Sequence, residues 1–354
     1  MSRFLTEKYQ SLAPYTPGEQ PQDKKYVKLN TNESPFPPSR RAAELAQSEI
    51  SRLMLYPDPD LTLLTKEIAD TYGVSKDEVI VTNGSDEVLN FAFMAFCDKN
   101  TPAVFPDITY GFYKVFADLN GVPYREIPLK TDFTVDKEEM KKTEGVLFIA
   151  NPNAPTGIAL TLSEIEEIVA SDKNRIVVVD EAYVDFGGES AVALVDKYDN
   201  LLVTMTFSKS RSMAGARLGF GIGRKEIIDD LVRIKYSTNP YNVNRMTAAA
   251  GLGALLDKEY FLDNCKKIIE AREWCISELL SLGFELTPTR ANFIFAKSDK
   301  ISGEELYLGL KERGVLVRHF KSERIKEYNR ITVGSMDEMK IFVKTVKEIL
   351  EEKR

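Results

Sequence analysis

The chain has 354 residues, of which 43% are hydrophobic and 29% charged, and this length and composition are those of a globular protein of two domains. The formal net charge of −7 disfavours a general nucleic-acid binder, and no apolar run approaches the length that spans a bilayer. The first residues lack the apolar core of a secretory leader, and three scattered cysteines favour a reducing compartment. We therefore expect a cytoplasmic protein that has neither nucleic-acid nor membrane partners.

The first half of the chain predicts an arm followed by alternating strands and helices. Residues 11–40 are rich in proline, asparagine, serine and tyrosine, which predicts an extended arm. Helical patterns follow from about Arg40 to Leu53 and from Leu61 to Tyr72, where Gly73 ends the second helix. Alternation of strands and helices predicts an α/β fold with a largely parallel sheet covered on both faces. The predicted strands are Val79–Val81, Ala103–Phe105, Val146–Ile149, Ile176–Val179, Leu201–Phe207 and Phe220–Ile222.

The second half predicts a smaller α+β domain. A long helical pattern runs from about Lys258 to Leu282 and ends at Gly283. We place the arm at residues 1–25, the large domain at residues 41–255, and the small domain at residues 26–40 together with 256–354. The predicted strands of the small domain are Phe284–Leu286, Phe293–Phe295, Val315–Val317 and Ile331–Val333.

The most informative segment is TFSKSRSMAGARLGF, which contains Lys209. This lysine follows a predicted strand, and the serines, alanines and glycine around it leave room for a flat ring at the amine. Arg217 offers a planar fork that suits a cluster of anionic oxygens. The combination indicates a cofactor bound through an imine, with its phosphate held nearby. A surface lysine at a strand end would explain Lys209 alone, but not its small neighbours.

Other polar residues also follow predicted strands, where ligands of open α/β sheets bind. Ser85 and Asp86 open a helix whose N-terminus suits a phosphate, although both could simply cap that helix. Tyr110 brings an aromatic ring to the same edge. Asp180 closes a buried strand, and a carboxylate there needs a partner, either a salt bridge or a protonated ring nitrogen. A single histidine, His319, argues against a histidine-based centre, and we predict no metal site.

These motifs resemble those of the fold-type I pyridoxal-phosphate aminotransferases, most closely the histidinol-phosphate branch. The likeness runs nearly from end to end and implies a large domain with a mainly parallel seven-stranded sheet, a smaller α+β domain, and pyridoxal 5′-phosphate as cofactor. The matching segments are Leu12–Gly18, Leu29–Pro35, Tyr56–Pro57, Gly84–Glu87, Thr109–Gly111, Asn151–Gly157, Asp180–Tyr183, Thr206–Phe220, Val317–Arg318 and Arg330–Gly334.

The resemblance also implies a role for each matching residue. Lys209 would carry the cofactor as an aldimine and move the proton, Asp180 would pair with the ring nitrogen, and Tyr183 would bond the ring hydroxyl. Tyr56 would reach the cofactor phosphate of a neighbouring subunit, so a homodimer is implied. The remaining cofactor contacts would be Tyr110 on the ring face and Ser85, Asp86, Ser208 and Arg217 around the phosphate, and the substrate contacts would be Tyr15, Asn32, Arg318 and Arg330.

One position departs from the family pattern. In many relatives the residue before Pro-Thr-Gly is an asparagine that touches the ring hydroxyl, and here it is Ala154. We expect Asn153, or failing that Asn151, to take this role; otherwise the contact is missing. The loss of one neutral hydrogen bond would cost about 0.5–1.5 kcal/mol, too little to change the chemistry.

The activity that the resemblance implies is a ping-pong transamination of small-molecule amine and 2-oxo acid substrates. The leading hypothesis is that L-histidinol phosphate and 2-oxoglutarate give imidazole acetol phosphate and L-glutamate, in histidine biosynthesis. The alternatives are an aminotransferase for aromatic or other amino acids and a threonine-phosphate decarboxylase on the same fold. A non-catalytic sensor module of a transcription regulator is disfavoured, since the chain shows no helix-turn-helix segment and no basic patch.

Overall fold

The computed structural model describes residues 2–353 of the chain. Its helices are α1 (Glu7–Gln10), α2 (Arg40–Ser48), α3 (Thr62–Tyr72), α4 (Ser85–Phe96), α5 (Phe112–Asn120), α6 (Lys137–Lys142), α7 (Leu162–Ala170), α8 (Lys225–Thr238), α9 (Arg245–Leu256), α10 (Lys258–Ser281), α11 (Gly303–Glu312) and α12 (Met336–Glu352). Its strands are β1 (Val27–Lys28), β2 (Val79–Thr82), β3 (Ala103–Pro106), β4 (Tyr124–Ile127), β5 (Val146–Ala150), β6 (Val177–Asp180), β7 (Leu201–Thr206), β8 (Gly219–Gly223), β9 (Phe284–Leu286), β10 (Phe293–Ser298), β11 (Val315–Leu316), β12 (Arg318–His319) and β13 (Asn329–Thr332).

The large sheet has the strand order β2-β8-β7-β6-β5-β3-β4. The strands from β7 to β4 run parallel to their neighbours, whereas β8 runs antiparallel to both β2 and β7. The prediction of a mainly parallel seven-stranded sheet is therefore confirmed. Because β2 runs in the same direction as β7, the carboxyl ends of β2, β3, β5, β6 and β7 all lie at one edge of the sheet.

Both faces of this sheet are buried. Alternate residues of each strand point to opposite faces, so Val177 and Val179 pack into one hydrophobic cluster with α3, α7 and α9, while Val178 packs into another with α4, α5 and α8. Strands buried on both faces read as continuous apolar runs, and this is why their positions were predictable from the sequence.

The small domain is built on an antiparallel sheet with the order β12-β13-β10-β9, covered by α10 and α12. Outside that sheet, β1 pairs in parallel with β11 and so ties the segment after the arm to this domain. Gly73 and Gly283 follow α3 and α10 with φ of 70° and 86°, a left-handed conformation that favours glycine and ends a helix.

Some elements differ from the predictions. The helix expected from Arg40 to Leu53 ends as an α-helix at Ser48 and continues as a 3-10 turn, Ile50–Arg52. Strands β1, β4 and β12 were not predicted, because β1 and β12 have two residues each and β4 is a partly exposed edge strand without an apolar run. Within residues 2–353, we find no helix with both the length and the apolar character needed to cross a bilayer.

Candidate active site

The carboxyl edge of the large sheet opens into a cavity of about 380 Å³. Strand β7 leads into Ser208 and Lys209, β6 ends on Asp180, and β2 leads through a short loop into α4. The predicted site residues that line this cavity are Ser85, Asp86, Tyr110, Asp180, Tyr183, Ser208, Lys209 and Arg217. Residues that are far apart in the sequence therefore meet in one place, as expected of residues that follow the carboxyl ends of parallel strands.

Lys209 is a partly buried amine at the boundary of two cavities. Its Nζ donates a hydrogen bond to the carbonyl oxygen of Thr31 at 3.2 Å. Burial, together with the positive charge of Arg330, lowers the pKa of Lys209 to about 8. A substantial fraction of this amine is neutral near physiological pH, as a nucleophile or a base must be.

Asp180 is a buried carboxylate with one oxygen occupied and one free. Its Oδ2 accepts a hydrogen bond from the Tyr113 hydroxyl at 3.1 Å, whereas Oδ1 is buried without a partner. Burial raises the pKa of Asp180 to about 7, against the lowering effect of the Tyr113 hydrogen bond. An acceptor of this kind can hold the N–H of a protonated ring nitrogen, which would supply the missing hydrogen bond.

The neighbouring acid, Glu181, has a different use. Its two oxygens accept from the Ser190 hydroxyl and the Ala191 N–H, both at 2.6 Å, and it does not line the cavity. Burial raises the pKa of Glu181 to about 8. Of the two adjacent acids, only Asp180 therefore faces the cavity.

The N-terminus of α4 lies at one end of the cavity. Free N–H groups and the positive end of the helix dipole favour a phosphate there. Gly84, which precedes α4, has a φ of 81°, and a Cβ at this position would lie 2.8 Å from Nη2 of Arg217. The guanidinium thus lies against a position that only glycine leaves open, beside Ser85 and the hydroxyl of Ser208.

Asp86 orients its neighbours at this end of the cavity. Its Oδ1 accepts from the Tyr110 hydroxyl at 2.7 Å, and its Oδ2 lies 3.1 Å from Nη2 of Arg217. Two anions would repel each other, so a carboxylate beside a phosphate site is best used to hold the groups that bind the phosphate and the ring.

A second cavity of about 540 Å³ adjoins the first and shares Lys209, Tyr110 and Tyr183 with it. Asn32 is buried here, and its Nδ2 donates to the Tyr183 hydroxyl at 3.0 Å. Tyr15 of the arm packs its ring on Phe112 at a centroid distance of 4.3 Å. The substrate residues expected from the sequence, Tyr15, Asn32, Arg318 and Arg330, all line this second cavity.

Arg318 and Arg330 are directly opposite each other on the paired strands β12 and β13. Within residues 2–353 neither forms an ion pair; Arg330 donates to the carbonyl oxygen of Asn30 at 3.0 Å, and Arg318 to those of Thr16 and Pro17 at 3.3 Å. Like charges directly opposite on a sheet are destabilising. Two such arginines without a carboxylate form a receptor for an anion.

The structure does not bring two of the expected residues to the cavity. Asn153 is buried inside its loop, where Nδ2 donates to Ile108 O and to Thr156 Oγ1, both at 3.0 Å, and Oδ1 accepts from Thr109. Asn151 is likewise occupied by Leu160. Ala154 lines the cavity, whereas neither asparagine does.

Tyr56 lies outside the cavity of its own chain. It is 77% exposed and packs on Tyr241 at a centroid distance of 4.6 Å.

The site also contains residues that were not predicted, and four of them have polar groups beside the cofactor residues. Gln20, Thr31 and Glu33 line the first cavity, and Tyr113 holds Asp180. No local signal pointed to Tyr113, because it lies inside α5 and its bond to Asp180 depends on how that helix packs on the sheet. The other three lie on the arm and the segment after it, where no periodicity indicates which side chains point inward.

Comparisons with known proteins agree with this geometry. A family model described as "Aminotransferase class I and II" matches residues 24–346. The chain belongs to this family of aminotransferases. It is 50% identical over 353 residues to a histidinol-phosphate aminotransferase of Brachyspira hyodysenteriae, with 99% of this chain and 100% of that protein covered. A histidinol-phosphate aminotransferase of Clostridium botulinum (strain Hall) is 45% identical over 351 residues, with 99% of each covered.

The fold of this aminotransferase is also found in solved structures. It is similar to the histidinol-phosphate aminotransferase from Sinorhizobium meliloti in complex with pyridoxal-5′-phosphate, with a TM-score of 0.89, 20% identity and 99% of each chain covered. The predictions of the fold class, of an aminotransferase and of pyridoxal 5′-phosphate as its cofactor are confirmed.

The cavity of the aminotransferase fits this cofactor. A phosphate matches the N-terminus of α4, an aldehyde carbon matches the amine of Lys209, and a ring nitrogen matches the unpartnered oxygen of Asp180.

Proposed function

We propose that this aminotransferase transfers the amino group of L-histidinol phosphate to 2-oxoglutarate in a ping-pong cycle, giving imidazole acetol phosphate and L-glutamate. The observation that carries the proposal is the facing pair of Arg318 and Arg330, which lack a carboxylate partner in the second cavity. The names of the relatives with 45% and 50% identity support the same substrate.

We assign the residues of the first cavity to the cofactor. Pyridoxal phosphate, when bound, supplies a carbonyl carbon that captures amines and a ring that accepts electrons. Asp180 keeps the ring nitrogen protonated, the Tyr183 hydroxyl holds the ring oxygen, and Tyr110 packs on the ring face. Around the phosphate we place Ser85, Ser208 and Arg217, with Asp86 as the residue that holds Tyr110 and Arg217.

Lys209 is the residue that we assign to proton transfer. Lys209 lines both cavities, so its Nζ can reach a substrate Cα from the cofactor side. With a pKa lowered to about 8, Nζ can accept a proton and return it at a similar pH. General acid–base help of this kind contributes about 10²- to 10⁴-fold.

Arg318 and Arg330 explain how one cavity can bind two substrates of different shape. The guanidinium fork binds a phosphate in one half-reaction and a carboxylate in the other. Tyr15 and Asn32 complete this cavity, and Asn32 also holds the Tyr183 hydroxyl.

We propose that the active form is a homodimer in which Tyr56 reaches the cofactor phosphate of the partner subunit. Tyr56 lies in an exposed apolar segment, as an interface requires. The exposed apolar side chains nearby are Ile50, Leu53, Met54, Leu55 and Leu63.

Subunit mixing tests the dimer. Subunits with Lys209→Ala and subunits with Tyr56→Ala should each be nearly inactive, and an equal mixture should regain about a quarter of wild-type activity. Half of the dimers would then be mixed, and each mixed dimer would have one intact site of two. A mixture that exchanges subunits, as shown by mass spectrometry, but stays inactive would refute the shared site.

We also propose the domain boundaries given from the sequence, supported by separate hydrophobic cores for the large sheet and for the small domain. A cytoplasmic location is a further proposal, supported by three free, buried cysteines, Cys97, Cys265 and Cys275. Fractionation of the cells that make the protein tests the location.

Single-turnover conversion to the pyridoxamine form tests the substrate. We expect histidinol phosphate to react faster than histidinol, phenylalanine, tyrosine, aspartate and threonine phosphate. Comparison of histidinol phosphate with histidinol isolates the phosphate. Equal rates for these two would refute the proposal that Arg318 and Arg330 bind the substrate phosphate. Faster reaction of an aromatic amino acid would favour an aromatic aminotransferase, and decarboxylation of threonine phosphate would favour the decarboxylase.

A further inference from the structure

Tyr113 is a fully buried tyrosine of α5 that the proposed mechanism does not use. Its ring packs between Phe105 and Phe148, at centroid distances of 5.6 and 5.8 Å, and meets Tyr110 edge-to-face at 5.7 Å. Aromatic rings packed on three sides have little freedom to move. The position of the Tyr113 hydroxyl is therefore fixed by the core.

The only side-chain hydrogen bond of this hydroxyl, within residues 2–353, goes to Oδ2 of Asp180 at 3.1 Å. Sixty-seven residues separate the two in sequence. Oδ1 of the same carboxylate has no partner, and Asp180 lines the cofactor cavity. The bond thus occupies one oxygen of the carboxylate and leaves the other for a donor in the cavity.

We propose that Tyr113 is a positioning residue, which fixes the Asp180 carboxylate so that Oδ1 is presented to the ring nitrogen of the cofactor. This inference rests on the proposed role of Asp180. The same aromatic cluster then orients two contacts of the ring, because Tyr110 packs both on Tyr113 and, as proposed, on the ring face.

The charges around Asp180 explain why such a residue is needed. Burial and the negative charge of Asp86 both disfavour the ionised carboxylate, while the Ala182 N–H and the positive charge of Lys209 favour it. The Tyr113 hydroxyl makes the largest single contribution that favours the ionised form. Without this hydroxyl the carboxylate would lose both its fixed orientation and part of the stabilisation of its charge.

The test uses the full-length apoenzyme with Tyr113→Phe, and Tyr198→Phe is the matched control. Tyr198 is also a buried tyrosine whose hydroxyl donates to a carboxylate, that of Glu166 at 3.0 Å, but it lies outside both cavities. Calorimetry measures binding of pyridoxamine 5′-phosphate and of its 1-deaza analogue, in which C–H replaces the ring nitrogen.

We expect Tyr113→Phe to weaken binding of pyridoxamine 5′-phosphate about tenfold or more at pH 8, and binding of the deaza analogue less than twofold. Infrared titration of the apoenzyme, with the Asp180 band assigned by Asp180→Asn, should show that Tyr113→Phe moves protonation of Asp180 to higher pH. Tyr198→Phe should change neither measurement. A purely structural role of Tyr113 would weaken both ligands equally.

Equal effects on the two ligands, or an unmoved Asp180 titration, would overturn the inference while leaving the proposed function intact. If Tyr113→Phe does not fold, 3-fluorotyrosine placed at position 113 keeps the ring and makes the hydroxyl a stronger donor. It should then shift Asp180 protonation to lower pH, and an unchanged titration would overturn the inference. Failure of the wild-type apoenzyme to bind pyridoxamine 5′-phosphate would overturn the proposed function and this inference with it.

Discussion

Replacement of Arg330 by glutamine should separate phosphate recognition from the chemistry. Arg330 lies directly opposite Arg318 on paired strands, and its Nε is buried without a partner. A phosphate bound between the two guanidinium groups would supply charge-assisted hydrogen bonds, each worth about 1.5–3 kcal/mol. With 1.4 kcal/mol for each factor of ten, Arg330→Gln should lower kcat/KM for histidinol phosphate by about 10- to 100-fold.

The same substitution should have only a moderate effect on stability. It removes the hydrogen bond to Asn30 O and the cation–π contacts with Phe293 and Phe320, at 5.4 and 6.0 Å, but it also removes the repulsion from Arg318. The losses and the gain have opposite signs and are each worth roughly 1 kcal/mol, so the free energy of unfolding should fall by no more than about 2 kcal/mol.

Steady-state kinetics with histidinol phosphate and histidinol provides the assay. We expect less than a threefold change for histidinol and a reduced kcat/KM for 2-oxoglutarate, since its carboxylate would use the same receptor. Arg224→Gln is the control, because Arg224 is ion-paired with Glu78 and Asp196 and lies outside both cavities. Equal losses of kcat/KM with histidinol phosphate and histidinol would show that Arg330 does not recognise the phosphate.

Other consequences follow from the first cavity. Asp180→Asn should abolish transamination. At pH 8 it should also raise the free energy of unfolding of the apoenzyme, because the pKa of Asp180 is about 7 in the folded protein and 3.8 ordinarily, so the ionised carboxylate destabilises the fold. At pH 4 the carboxyl is protonated in the folded protein and about half protonated in the unfolded chain, so the gain should nearly vanish. Equal denaturant stability of wild type and variant at pH 8 would contradict this. Gly84→Ala should weaken the affinity for the cofactor, measured by calorimetry, because the added Cβ would displace the Arg217 guanidinium. Gly73→Ala is the control, since Gly73 has a similar φ of 70° but open space around the Cβ, and it should only lower the free energy of unfolding by about 1 kcal/mol. The rate at which the apoenzyme captures pyridoxal phosphate should rise with pH and level off above about 8, following the neutral form of Lys209; a rise that continues to pH 10 in stopped-flow absorbance would show an ordinary lysine pKa.

The sequence predicts the centre of this site better than its surroundings. Lys209 and Asp180 stand directly at the ends of buried strands, and parallel strands necessarily bring their carboxyl ends to one edge. Asn153 was expected to face the cofactor, but neighbouring residues in a loop point in different directions, and here Ala154 lines the cavity while Asn153 is buried within its loop. No rule of spacing decides which of two such neighbours faces the ligand.

Pairings between distant segments could not be predicted from the sequence either. Arg318 and Arg330 were each identified, but their direct opposition depends on the register between β12 and β13, and β12 has only two residues. The bond between Tyr113 and Asp180 likewise requires α5 to pack on the sheet so that the Tyr113 hydroxyl reaches the end of β6. Such contacts depend on tertiary packing, which the local pattern of a single sequence does not reveal.

The central claim is that Lys209 captures pyridoxal phosphate in the cavity that it shares with Asp180. Reduction of the yellow holoenzyme with borohydride, followed by mass spectrometry of its peptides, tests this claim most directly. We expect a pyridoxyl group on the peptide that contains Lys209. A label on Lys114, which lines only the second cavity, or on any other lysine instead would contradict it.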